Sequence, residues 1–310
     1  MKDLNKKWVY MSLATVVVVL IIAIIACLMV RSNKTENVSK SATDSVALTI
    51  ATLPTLDCLP VYVAVQDSMF EKAGLKLKIV PFTAQMDCDT ALANGSALIG
   101  FSDVIRIQRL VRKRVPVSFL SQTMLSWKLI TNYKSRITTP KSLKEKFVAI
   151  TRFSATDYLA EKFIDSIKLK REDVYRAQIN DIKVRIRMLA NNGLDGAFLP
   201  EPHATEAMCM NHNLLQDFSD VSPSLGALAM RQDLIDRQNR QKQLALFKKV
   251  YDMAVDSINE KGIKYYGNVI KQYCKVKQST VDSLKTSDFV HITPVAPAAI
   301  SLAQDWLDKH

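Results

Sequence analysis

The chain predicts two α/β lobes joined by two crossings, behind an apolar N-terminal segment. Three observations carry this. Short β-branched runs alternate with helix-patterned runs from residue 46 onward, the alternation restarts near residue 147, and Trp8 to Val30 is a run of 23 residues without a charge. Alternating strands and helices build open, mostly parallel sheets, and ligands sit beyond the C-terminal ends of their strands. At 310 residues, with 48% hydrophobic and 23% charged residues, the chain can bury one large core or two ordinary ones, so disorder is not its default state.

The N-terminus comes first. Lys2, Lys6 and Lys7 precede the uncharged run, which as a helix would measure about 34 Å, enough to cross a bilayer. Residues 1–30 read as a signal or anchor segment, with three readings open. The run is a buried core helix, an uncleaved membrane anchor, or a lipoprotein signal in which Ile24-Ile25-Ala26-Cys27 offers Cys27 for lipidation. The last two place the cationic end in the cytoplasm and the body outside, in the periplasm or at the cell surface. The stretch "RSNKTENVSKSATD", residues 31–44, reads as a flexible tether.

The folded body divides into lobe 1 over residues 45–130, lobe 2 over 131–224, and a return to lobe 1 with C-terminal helices over 225–310. In lobe 1, Val46–Thr52 is a strand and "LPTLDCLP" a loop. Val61–Gly74 has helical spacing with a glycine stop, and Leu75–Phe82 alternates as a strand. Thr83–Gly95 is a second helix, Ser96–Asp103 a third strand, and Val104–Arg114 a third helix, followed by the strands "PVSFLSQTM" and "SWKLITN". In lobe 2, Phe147–Arg152 is a strand, and Ser154 and Thr156 are cap candidates for the helix after it. "RAQIN", "DIKVRIRMLANNG" and "LDGAFLP" then alternate strand, helix and strand. Glu201, held between Pro200 and Pro202, leads into the helix "TEAMCMNHN". Ser224–Met230 is a strand returning to lobe 1, and helices follow at Ile235–Asn259, Ile263–Tyr273, Ser279–Thr286 and Pro297–Leu307. The crossings fall near Trp127–Ile137 and Val221–Met230, and a cleft between lobes is the default place for a small ligand.

The formal charge of +12 admits a nucleic acid, an anionic ligand or an anionic membrane face as partner. Nucleic acid is set aside, because the basic residues are scattered and the body reads as exported. The dense stretch Arg106–Arg114, "RIQRLVRKR", suits the solvated face of a helix. Beyond Cys27, the cysteines Cys58, Cys88, Cys209 and Cys274 allow three pairings. A Cys58–Cys88 bridge and two thiols buried in the core both stay open. His203, His212, His291 and His310 show no ligand spacing, so no metal site is expected. No GxSxG, HExxH, Cys/His pair or P-loop occurs, so no cofactor is expected and catalysis is not the reading.

The stretches "LTIATLPTLDCLPVYVAVQDSMFEKAGLKLKIVPF", "ALANGSALIGFSD" and "LANNGLDGAFLPEPHATEA" resemble the substrate-binding proteins of nitrate, sulfonate, taurine and thiamine-precursor ABC transporters. Phe70–Leu75, Ala91–Asp103 and Asn192–Pro202 match the family's signatures in order, within a resemblance spanning about residues 46 to 260. It implies a type 2 periplasmic-binding-protein fold and a monomer that captures a small molecule and hands it to an ABC permease driven by its ATPase. It also implies that helix N-termini converge on the cleft. The ligand-binding candidates are then Thr55, Asp57, Gln85, Ser102, Asp103, Ser154, Thr156 and Glu201. Trp127 is the aromatic placed nearest the cleft, ahead of Tyr62, Phe153 and Tyr158. Asp103 and Glu201 could equally cap the helices that follow them, and Glu201 could pair across the cleft. The family's first loop carries small residues, whereas Asp57 and Cys58 stand here. An unpaired carboxylate repels a sulfonate or nitrate, so the charge balance favours a cationic or heterocyclic ligand. A membrane-tethered sensor or accessory protein, and a small-molecule enzyme on the same fold, are the alternative functions.

Overall fold

Two five-stranded sheets organise the chain, with strand orders β2-β1-β3-β10-β4 and β7-β6-β8-β5-β9. The first contains β1 (Leu48–Thr52), β2 (Leu77–Pro81), β3 (Ile99–Asp103), β4 (Ser118–Gln122) and β10 (Gly226–Met230). The second contains β5 (Trp127–Thr131), β6 (Phe147–Ile150), β7 (Tyr175–Gln178), β8 (Gly196–Pro200) and β9 (Asn213–Asp217). The computed structural model describes residues 46–285 and 288–310, and residues 47–310 form one compact unit. The expected segment 1–30 with Cys27, and the tether 31–44, lie outside the described residues. Among the described residues no helix is long and apolar enough to cross a membrane.

The sheets are mixed rather than purely parallel. β2, β1 and β3 run parallel, and β10 runs antiparallel to β3 and β4. Likewise β7, β6 and β8 run parallel, while β5 opposes β8 and β9. The reversed strands are the two that enter their sheet from the other lobe, so the crossing itself imposes the reversal. Because Trp127 pairs with Pro200 inside the second sheet, lobe 1 ends near Gln122 rather than at residue 130. The crossings are the segments 123–126 and 218–225, each a few residues earlier than the apolar pattern indicates. They touch: a Cβ on Gly226 would meet Thr123 Oγ1 at 2.5 Å and Leu125 Cβ at 2.6 Å, so this position requires glycine.

β3, β5 and β8 are buried along their whole length, as strands covered on both faces must be. The largest core cluster joins β1 and β3 to the helices Leu59–Gln66, Gln241–Lys261 and Gly267–Cys274, which places most of the C-terminal helices on lobe 1. The last helix, Pro297–Leu307, packs with Val104–Arg112. Its Trp306 Nε1 donates to Glu161 of lobe 2 at 2.9 Å, so the C-terminus spans both lobes.

Two long helical patterns break where the backbone turns left-handed. Val61–Gly74 becomes Leu59–Gln66 and Met69–Lys72, with Ser68 at φ 55 between them. Ile235–Asn259 becomes Gln232–Arg237 and Gln241–Lys261, parted by Asn239 at φ 51. Apolar periodicity survives such a kink, so the pattern alone reads as continuous. The solvated face expected over Arg106–Arg114 holds only for its end, where Arg112, Lys113 and Arg114 are exposed. Arg106 is buried and salt-bridged to Asp89. Cys58 and Cys88 are buried free thiols, so the two candidate partners remain unbridged. Among the described residues no group of three or more His, Cys, Asp or Glu could hold a metal ion.

Candidate functional site

Helices beginning at Gln85 and Val104 in lobe 1, and at Ala155 and Ile182 in lobe 2, start just beyond the C-terminal ends of neighbouring strands. Their first residues and caps meet around an interlobe cavity of about 40 Å³. Thr55, Gln85, Asp103, Trp127, Ser154 and Thr156, all singled out in the sequence, line it together with Thr151, Asn180 and Arg185. The local reasons are visible at each helix start. Asp103 accepts from Arg106 N–H at 3.0 Å, Ser154 Oγ accepts from Thr156 N–H at 3.1 Å, and Asp181 accepts from Val184 N–H at 2.8 Å. Each cap satisfies one free N–H and leaves the others, with the positive end of the dipole, toward the cavity.

The lobes are closed on each other at this rim. Thr83 Oγ1 donates to Asp181 Oδ2 at 2.6 Å, and Ala84 and Asp181 form an isolated antiparallel bridge. Asn180 Nδ2 donates to Met86 Sδ at 2.8 Å, and Leu56 N–H donates to the Glu201 carbonyl at 2.9 Å. These contacts explain why so little volume remains between the lobes.

Two opposite charges sit in the walls. Burial pushes Asp103 up to about 6, against the opposing pull of Arg106 and of the N–H groups it accepts from. Arg185 is buried, and burial lowers it to about 10. Its guanidinium donates to Ile179 O at 2.7 Å, Phe198 O at 2.6 Å and Thr151 Oγ1 at 2.7 Å, all neutral acceptors. Trp127, only 7% exposed, lines the same space. A site with one carboxylate, one guanidinium and several hydroxyls and amides suits a small molecule that both donates and accepts, with no large net charge.

Three expected residues fall elsewhere. Ser102 is fully buried and does not line the interlobe cavity; its Oγ donates to Asp89 Oδ1 at 3.2 Å. Adjacent strand positions face opposite sides of a sheet, so Ser102 and Asp103 cannot both face the cleft. Glu201 does not latch the lobes with its side chain. Its Oε1 accepts from Lys128 Nζ at 2.7 Å and its Oε2 from Thr205 N–H at 3.1 Å, both within lobe 2, so the capping role is the one realised. Asp57 and Glu201 line a separate, larger cavity of about 400 Å³ beside the crossings. Of the other aromatics, Tyr62 stacks on Tyr273 in the core, Tyr158 meets Trp306 edge-on, and Phe153 lies under Arg109.

Sequence reasoning missed Thr151, Asn180 and Arg185. Thr151 follows a strand end, a signal that could have flagged it. Asn180 stands just before Asp181, the cap of the next helix. Arg185 sits mid-helix, where nothing local marks it as inward-facing.

A two-lobe α/β body whose helix starts face an interlobe cavity is an architecture found in other proteins. Residues 55–198 match the model of the family described as NMT1/THI5 like. The structure is similar to the alkanesulfonate-binding protein SsuA from Xanthomonas axonopodis pv. citri bound to MOPS, with TM-score 0.73 and 15% identity over 85% of this chain and 91% of that one. It is similar to the periplasmic nitrate-binding protein NrtA from Synechocystis PCC 6803, with TM-score 0.68 and 9% identity over 84% and 85% of the two chains. The desulfurization enzyme DSZB has the same fold, with TM-score 0.62 and 13% identity over 85% and 92%. No curated protein matches the chain. At these identities the likeness is one of fold, and it is the two-lobe periplasmic-binding-protein fold.

Proposed function

We propose that this protein is the extracytoplasmic substrate-binding component of an ABC importer, capturing a small polar or heterocyclic molecule between its lobes and delivering it to the permease. The observation that supports this best is the interlobe cavity, where caps and first residues of four helices from both lobes converge. The uncharged run at the N-terminus supports an exported body held at the membrane by an anchor or by a lipid on Cys27. The ligand class follows from charge. A bare oxyanion placed beside Asp103 would meet a carboxylate, while Arg185 already has three acceptors, so an uncharged ring with N–H and carbonyl or ring-nitrogen groups fits better.

Ligand entry requires the Thr83–Asp181 rim to open, because about 40 Å³ holds little more than water. The test is a thermal-shift screen against pyrimidines, thiamine, riboflavin, sulfonates, nitrate and polyamines. A ligand at a hundredfold excess over its Kd adds about 2.7 kcal/mol to the folded state. Thr55→Val and Asn180→Leu are expected to weaken the hit at least tenfold. A hit that ignores both variants, or that proves to be a sulfonate or nitrate, overturns the assignment of this cavity or of its ligand class.

A further inference from the structure

We propose that the cavity beside the two crossings is a second binding site, for an organic ammonium cation. It shares only Leu125 and Trp127 with the smaller cavity among the helix starts, and it does not depend on the transport reading. Its volume of about 400 Å³ lies in the range of small-molecule sites. It is walled by both chain crossings, through Met124 to Ser126 on one side and Phe218 to Val221 with Ser224 and Leu225 on the other.

The charge in its walls is predominantly acidic. Asp57, Glu201, Asp217 and Asp220 line it, against Lys128 and Lys285. Lys128 is committed: Glu201 Oε1 lies 2.7 Å and Asp217 Oδ2 3.5 Å from its Nζ. Burial pulls its ammonium down, but the two carboxylates outweigh this and hold it above its ordinary value. Lys285 is exposed.

Asp57 is the least compensated of these acids. It is 2% exposed, Thr123 Oγ1 reaches its Oδ2 only at 3.4 Å, and its Oδ1 has no hydrogen-bond partner. A buried carboxylate oxygen left unpaired is costly and persists where something else repays it. An ammonium N–H would do so once the carboxylate turns Oδ1, now closed to solvent, into the cavity. Trp127 and Phe218 line the same space, and aromatic faces attract an ammonium group, while Leu125, Leu159 and Leu225 suit an apolar body. A metal fits poorly, since among the described residues no set of acids converges as a cation such as calcium requires.

The test uses the full chain with phenethylamine as probe and 2-phenylethanol as its neutral counterpart, read by calorimetry at pH 7.5. The expected result is saturable one-to-one binding of the amine, with the alcohol at least tenfold weaker. Asp57→Asn should weaken the amine at least tenfold, whereas Asn180→Leu in the interlobe cavity should change it less than twofold. Should Asp57→Asn fail to fold, Ser224→Trp, which fills the cavity from the second crossing, must abolish amine binding. Absence of saturable binding, equal binding of amine and alcohol, or indifference to the Asp57 or Ser224 change overturns the proposal. So does loss on Asn180→Leu alone, which would place the amine between the lobes, or a response to calcium without one to the amine.

Discussion

Replacing Asp57 by asparagine should stabilise the unliganded protein at neutral pH. Burial raises the carboxyl from its ordinary 3.8 to about 6, with the nearby polar groups of Thr55, Thr123 and the local backbone only partly opposing the rise. The folded state therefore holds this proton more tightly than the unfolded one. Stability contributed by the protonated form is complete below pH 4 and is lost as pH climbs through 6. A shift of roughly two units is worth about 3 kcal/mol at most, since each unit is about 1.4 kcal/mol. Asparagine keeps the volume and an acceptor for Thr123, but it buries an amide that lacks full partners, a cost of about 1 kcal/mol. The net gain should be about 1–2 kcal/mol, or roughly 2–8 °C in Tm for a body of this size. Thermal melts by circular dichroism from pH 4 to 8 measure it as the gap between variant and wild type. The variant should be about 1 kcal/mol less stable than wild type at pH 4, with the gap reversing as pH climbs through 6 and reaching its full positive value above pH 7. Asp103 titrates over the same range, but in both proteins, so it cancels in the difference. A variant less stable at pH 7, or a gap independent of pH, would refute the reasoning.

Four further perturbations test other parts of the structure. Arg185→Met strands the acceptors at Ile179, Phe198 and Thr151 in the interior and should cost about 3–5 kcal/mol, read from the urea midpoint. Gly226→Ala forces a methyl group against Thr123 and Leu125 where the crossings touch, and about 1–3 kcal/mol should be lost in the same measurement. Thr83→Val removes the rim bond to Asp181, so small-angle scattering should report a larger radius of gyration for the unliganded protein; an unchanged radius would mean that other contacts hold the cleft shut. Trp306→Phe deletes the donor to Glu161, which keeps its Arg176 partner at 2.8 Å, and a loss of about 1–2 kcal/mol is expected.

Much of this molecule was legible along the chain. The strand and helix alternation, the return of Gly226–Met230 to the first sheet, and the cap residues Asp103 and Ser154 are local features, set by side-chain periodicity and by which backbone N–H groups need an acceptor. Six of the nine residues singled out for ligand binding line the interlobe cavity, because positions just after strand ends and just before helix starts converge in any fold of this kind. The kinks at Ser68 and Asn239 were not legible, since an apolar stripe continues across them.

What the sequence by itself determined is the order of elements, the two-lobe plan and the kind of residue at each helix start, all consequences of contacts between near neighbours in the chain. Tertiary structure decided which of those residues share a space. Pairing of β5 with β8 sets Lys128 beside Glu201 across 73 positions and turns an aimed carboxylate into half of an ion pair. The strand pleat sends Ser102 to Asp89 and leaves Asp103 for the cavity, and the approach of the two crossings puts Asp57 in the wall of a second one. Register, pleat and crossing geometry depend on segments distant in sequence, and no short window of residues contains them.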